Sequence, residues 1–124
     1  MRFLVPRAFF FLVLFHVYLA RGNFAALNAR ARRIRVRQSK RRSLTMEEVC
    51  RGVDLACIWY PTEVLCLQRS AAAACLLKRC GIPAQMVVGA RLMPFKAHAW
   101  VEVEGRVVDD KPYVPQMYSV LDRC

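Results

Sequence analysis

Cys66, His98 and an acid from the doublet Asp109-Asp110 have the types and the order suited to nucleophilic attack on a carbonyl. In such a site a thiolate attacks the carbonyl carbon, an imidazole carries the proton, and a carboxylate holds that imidazole in one tautomer. Each group needs an element to position it, and the sequence offers one for each.

Cys66 opens the stretch Cys66-Leu-Gln-Arg-Ser-Ala-Ala-Ala-Ala-Cys-Leu-Leu-Lys-Arg-Cys-Gly-Ile-Pro83. Ala73, Leu76, Leu77 and Cys80 recur at helical spacing, the alanines carry no propensity cost, and Lys78-Arg79 suit the last turn. Gly81 supplies a left-handed stop, and Pro83 prevents continuation. Upstream, Pro61-Thr62 disfavours a helix running straight through, so the spacing predicts a helix beginning near Cys66. Unpaired backbone N–H groups concentrate at such a start and favour the thiolate form. The competing reading is a structural cysteine on an alanine-rich core helix.

For His98 the pattern predicts a hairpin. His98, Trp100 and Glu102 share one face of an extended segment, and Ala97, Ala99, Val101 and Val103 share the other. Arg106 to Asp110 can pair back across Gly105. A two-residue Glu104-Gly105 loop needs positive φ at Glu104, whereas a three-residue Val103-Glu104-Gly105 loop needs it only at Gly105. The three-residue loop is therefore preferred. It sets His98 opposite Asp110, with Cβ atoms roughly 5 Å apart. In the two-residue register Asp109 would share the face of His98 instead.

With these residues in place, the sequence closely resembles the transglutaminase-like leader peptidase of lasso-peptide biosynthesis. The shared motifs run from about Trp59 to Asp110: Cys-Leu-x-Arg-Ser-x-Ala, Leu-Leu-Lys-Arg-x-Gly-Ile-Pro-Ala, Val-Gly-Ala-Arg, Pro-Phe-x-Ala-His-Ala-Trp-Val-Glu-Val-x-Gly and Val-Val-Asp-Asp. The resemblance implies Cys66 as nucleophile, His98 as base and Asp110 as third member. Asp109 departs from the pattern, which would have Asn before the acid. The implied fold is α+β: a transglutaminase-like or papain-like cysteine peptidase core, with N-terminal helices and a central Cys-bearing helix packed on a small antiparallel sheet. The implied activity is removal of the leader from a ribosomally made lasso-precursor peptide. Larger relatives carry a leader-recognition domain ahead of the peptidase. With no room for one, this chain resembles the split form, with a separate small recognition protein and an asparagine-synthetase-like macrocyclase as partners. The alternatives are a same-fold peptidase or acyl-transfer enzyme acting on another peptide, and a non-catalytic membrane-associated adaptor.

Charge divides the chain. Residues 1–42 carry eleven Lys/Arg and no acid, whereas residues 43–124 carry nine basic and nine acidic residues, so the net +11 belongs to the N-terminal third. Attraction of that segment to anionic lipid is the functional reading of the excess, and a solvated basic helix is the bland one. Nucleic acid fits poorly, because aromatic interleaving ends at Phe24. The apolar run Ala8 to Ala20 lacks a small-x-small cleavage pattern and is short of the ~20 residues a spanning helix needs. A permanent N-terminal helix is expected instead, one that packs on the core or lies in a membrane interface. The expected organisation is an apolar then basic helical segment over residues 1–46 and a peptidase core over residues 47–124. The implied location is cytoplasmic, peripheral to the inner face of the membrane.

The hairpin gives this segment a second task. If the His98/Trp100 face turns toward the Cys66 helix, the Ala/Val face needs another apolar cover, and residues 1–20 are the largest piece available. Elsewhere, Ser43 or Thr45 and the acids Glu47-Glu48 predict a helix to about Ile58, with Val49, Val53 and Ala56 or Cys57 buried. Ala84 to Ala90 is a predicted strand, Arg91 to Lys96 a loop exposing Phe95, and the tail beyond Asp110, with Pro112 and Pro115, irregular. Cysteine spacing suits neither a disulfide scaffold nor zinc, because no C-x-x-C occurs and the two histidines are far apart. No cofactor or metal is expected.

Overall fold

The structure, a computed structural model, describes residues 4–22, 24–34, 46–61, 64, 66–92, 95–108 and 117–123. Four helices precede the sheet: α1 (Leu4–Ala20), α2 (Phe24–Arg33), α3 (Met46–Trp59) and α4 (Cys66–Arg79). Four strands follow, β1 (Ala84–Leu92), β2 (Phe95–Val103), β3 (Arg106–Val107) and β4 (Ser119–Arg123), in the sheet order β3-β2-β1-β4. Every pairing is antiparallel, and the fold is α+β.

The architecture is two layers around α4. Residues Ala71 to Leu77 of that helix are all buried, and they share one core with Phe11, Leu12 and Phe15 of α1 and Val49, Val53 and Ala56 of α3. Met86, Val88, Ala99 and Val101 of the sheet belong to the same core. A helix can be covered on all sides only if its neighbours approach closely, which the run of alanines allows. α4 stops as expected. Gly81 takes φ 84°, the Ile82 N–H donates to the Leu77 carbonyl at 2.9 Å and the Gly81 N–H to the Lys78 carbonyl at 3.1 Å, a Schellman closure.

Two polar side chains of α4 fasten the N-terminal helices. Buried Gln68 donates from Nε2 to the Leu12 carbonyl of α1 at 2.7 Å, and buried Lys78 donates from Nζ to the Ala31 carbonyl of α2 at 3.0 Å. These bonds fix the first turn and the last turn of α4 separately.

Three expectations are corrected. α1 covers α3 and α4, not the Ala/Val face of the hairpin; that face lies directly on α4. Small apolar side chains on both surfaces let the layers meet, whereas the His98/Trp100/Glu102 face would strand polar groups there. The expected loop over Arg91 to Lys96 is mostly strand, since β1 runs to Leu92 and β2 starts at Phe95. The tail is not irregular throughout, because β4 pairs along β1. An open strand edge beside residues 87–90 offers main-chain partners that prolines further upstream do not remove. The N-cap residues Ser43 and Thr45 lie outside the described residues; α3 itself buries Val49, Val53 and Ala56 as expected.

Burying Phe11, Leu12 and Phe15 contributes about 5–9 kcal/mol, at about 1.5–3 kcal/mol for each side chain. A net stability of about 5–15 kcal/mol cannot spare that. Deleting residues 1–20 is therefore expected to give insoluble or unfolded protein, read by circular dichroism and gel filtration; a monomeric truncation with a native spectrum would refute it.

Candidate active site

Cys66 is the first residue of α4, and it is exposed. The first turn of the helix carries no acidic residue. Arg69, one turn on, pairs with Asp54 of α3 and so ties α3 to the start of α4. Two of the other thiols are less suited to attack. Cys75 is fully buried, and burial pushes the Cys57 thiol up from its ordinary value; Asp54 adds to the rise and Arg69 only partly offsets it.

His98 sits in β2, paired with Gly89 of β1. Its ring lies 5.5 Å from the Tyr118 ring and 6.1 Å from the Trp100 ring, and Tyr118 and Trp100 are themselves 6.0 Å apart. The glycine is required by that cluster. A Cβ at position 89 would stand 2.8 Å from the Trp100 ring and 2.9 Å from the Tyr118 Cβ. The β1–β4 register also shifts between Val88 and Gly89, so the sheet is irregular beside His98.

Trp100 is anchored in turn. Its indole Nε1 donates to Glu102 Oε2 at 2.8 Å, and Arg123 Nη1 donates to Glu102 Oε1 at 2.7 Å. Burial alone would raise the Glu102 carboxyl, but the Trp100 hydrogen bond and the Arg123 hydrogen bond and charge outweigh it and hold it below its ordinary value. The alternation of β2 already put His98, Trp100 and Glu102 on one face. Tyr118, Arg123 and Gly89 carried no such signal, because their roles depend on β4 pairing with β1.

The hairpin turn corrects the expected register. Val103 pairs with Arg106 and Glu102 with Val107, which leaves a two-residue Glu104-Gly105 loop. Glu104 takes φ 52° and Gly105 φ 79°, the type I′ pattern. Its twist matches the strands, and the further bond from Val108 N–H to the Val101 carbonyl at 3.0 Å offsets the strain at Glu104. Turn chemistry therefore no longer favours Asp110 over Asp109. Both acids lie outside the described residues.

Element lengths alone would return His98 toward the Cys66 end of α4. From Cys66 to Arg79 α4 rises about 20 Å, and after a short reversal β1 returns about 17 Å from Ala84 to Gly89, the partner of His98. They differ in side. Cys66 belongs to the helical layer, while His98 projects from the sheet face that does not contact α4.

A helix headed by an exposed cysteine, packed on an antiparallel sheet that carries a histidine, is the arrangement of a known class. The sequence profile of the transglutaminase-like superfamily matches residues 9–123, and the chain belongs to that superfamily. It is also 41% identical over 56 residues to the microcin J25-processing protein McjB of Escherichia coli. That stretch is 45% of this chain and 27% of the relative, so the match spans about a quarter of the relative's length. No solved structure matches the chain.

Two outcomes test the cluster. Gly89→Ala is expected to destabilise the protein by about 1–3 kcal/mol in urea unfolding, through overpacking against Trp100 and Tyr118. The native Glu102 carboxyl lies below its unfolded value of about 4.3, so its stabilisation is present above that pH and is lost as pH falls through the native value. The stability deficit of Glu102→Gln should thus be full at pH 7 and shrink below about pH 4. A deficit that does not change with pH would count against an ionised Glu102.

Proposed function

We propose that this protein is a cysteine peptidase that removes the leader from a ribosomally synthesised lasso-precursor peptide during maturation. The observation that carries this reading is Cys66, exposed at the start of the central helix. Membership of the transglutaminase-like superfamily and the partial likeness to a microcin-processing protein support it.

In this mechanism the Cys66 thiolate attacks the amide carbonyl between leader and core. His98 gives a proton to the leaving amine, and water activated by His98 then releases the acyl-enzyme. The Cys66 backbone N–H, at the helix start, donates to the oxyanion. Asp110 orients His98 by resemblance to the family, with Asp109 the alternative acid of the doublet. Residues 1–46 serve as brace and anchor, and residues 47–124 carry the chemistry. The partners are the precursor peptide, a separate leader-recognition protein and an asparagine-synthetase-like macrocyclase. The site of action is cytoplasmic, at the inner face of the membrane, a placement supported by the eleven Lys/Arg and absent acids of residues 1–42. Among the described residues no helix is long and apolar enough to cross a membrane.

Cys66→Ala should abolish precursor cleavage, followed by mass spectrometry, while circular dichroism stays native. Retained cleavage would end the assignment of Cys66 as nucleophile. Of the two acid variants, Asp110→Asn should lower kcat/KM by at least about 10²-fold and Asp109→Asn by much less. The reverse order would move the orienting role to Asp109.

A further inference from the structure

We propose that the face formed jointly by α1 and α3 is the surface through which this protein lies on an anionic membrane. This rests on the membrane-surface placement above and adds which side chains enter the lipid.

Six large apolar side chains left in solvent belong to these two helices. Phe10, Val13 and Val17 of α1 are 59%, 42% and 42% exposed, and Leu55, Ile58 and Trp59 of α3 are 40%, 75% and 76% exposed. The α1 positions fall at i, i+3 and i+7, so they form one stripe along the helix. Pro6, His16 and Ala20 are exposed on the same side, and no formally charged residue interrupts it. The opposite side, Ala8, Phe11, Leu12 and Phe15, is already committed to the core. Tyr60 joins the two helices at the surface. Its ring stacks on Phe9 at 5.3 Å and on His16 at 5.8 Å, directly after Trp59 in the chain and one helical turn either side of Val13. Leu55, Ile58 and Trp59 adjoin this stripe at the C-terminal end of α3, beyond exposed Arg51 and the Asp54–Arg69 pair, so the apolar part of the face is confined to α1 and the last turn of α3, and such a face marks an interaction site.

Charge selects the occupant. Arg21 closes α1, and Arg30, Arg32 and Arg33 lie exposed on α2, within a segment of eleven basic residues and no acid. Anionic headgroups complement that charge, whereas a second copy of a chain carrying +11 repels it. At 17 residues α1 is too short to span, and its buried side cannot leave the core, so it lies in the plane of the interface. Trp59 and Phe10 are the side chains suited to the boundary between headgroup and acyl chain. The Arg69–Asp54 pair joins α3 to the first turns of α4.

The chain has two tryptophans, and Trp100 is fully buried, so lipid-induced changes in emission report Trp59. Full-length protein is mixed with phosphatidylcholine vesicles, with or without an equal part of phosphatidylglycerol, in flotation and tryptophan-emission measurements. The expected result is flotation with the anionic vesicles alone, accompanied by a blue shift and by quenching from brominated acyl chains, both lost in Trp59→Phe. The double variant Phe10→Ser/Ile58→Ser should lower partitioning at least about tenfold with native circular dichroism. Flotation with no Trp59 response would overturn the surface and leave the membrane placement standing. Absence of flotation would remove both. A blue shift that grows with protein concentration in the absence of lipid would assign the face to a second copy and overturn the proposal.

Discussion

Complete burial of an alanine-rich helix between two layers is the constraint on which this structure depends. α4 has helices on one side and the sheet on the other, and its residues from Ala71 to Leu77 reach no solvent. Larger side chains would hold the layers apart and open voids, at a cost that grows with the volume left unfilled. A helix covered in this way has little freedom to shift, and its first residue is the exposed Cys66. The rigidity of the core is thus delivered to the exposed Cys66 thiol.

The sheet divides its duties by face. Toward α4 it presents Met86, Val88, Ala99 and Val101, which need only fill space. The other face carries a chain of specific contacts, from Arg123 to Glu102, from Glu102 to Trp100, and from Trp100 to the His98 and Tyr118 rings. A buried carboxylate on an apolar face would be costly; here it accepts from an indole and a guanidinium, which makes it a fixed anchor. The absence of a side chain at Gly89 leaves room for these rings to converge.

Both ends of the described chain return to this centre. α1 is tied by Gln68 two residues after the candidate nucleophile, Tyr118 just before β4 meets the histidine ring, and Arg123 of β4 holds Glu102. The candidate chemistry lies between Cys66 and Asp110, yet the elements that steady it come from outside that span. The same N-terminal helix that braces α4 leaves its other side bare beside Trp59, so one element serves packing inward and carries an apolar face outward.

Local pattern determined much of the result. The helix from Cys66, its Gly81 stop, the strand from Ala84 and the alternation that groups His98 with Trp100 and Glu102 all follow from periodicity and caps, which are short-range properties of the chain. Motif likeness likewise revealed the superfamily. Tertiary structure alone decided the rest. Which face of the hairpin meets α4 depends on the match between two surfaces, and the alternation by itself reads equally well either way. The turn at Glu104-Gly105 was misjudged for a similar reason: φ strain at one residue is a local cost, but it is offset by strand twist and pairing across the hairpin. β4 was missed because a strand added at an edge is specified by its partner β1 more than by its own residues. Sequence thus named candidate groups and the elements that bear them; only packing of distant surfaces determined which way those elements face and what holds them still.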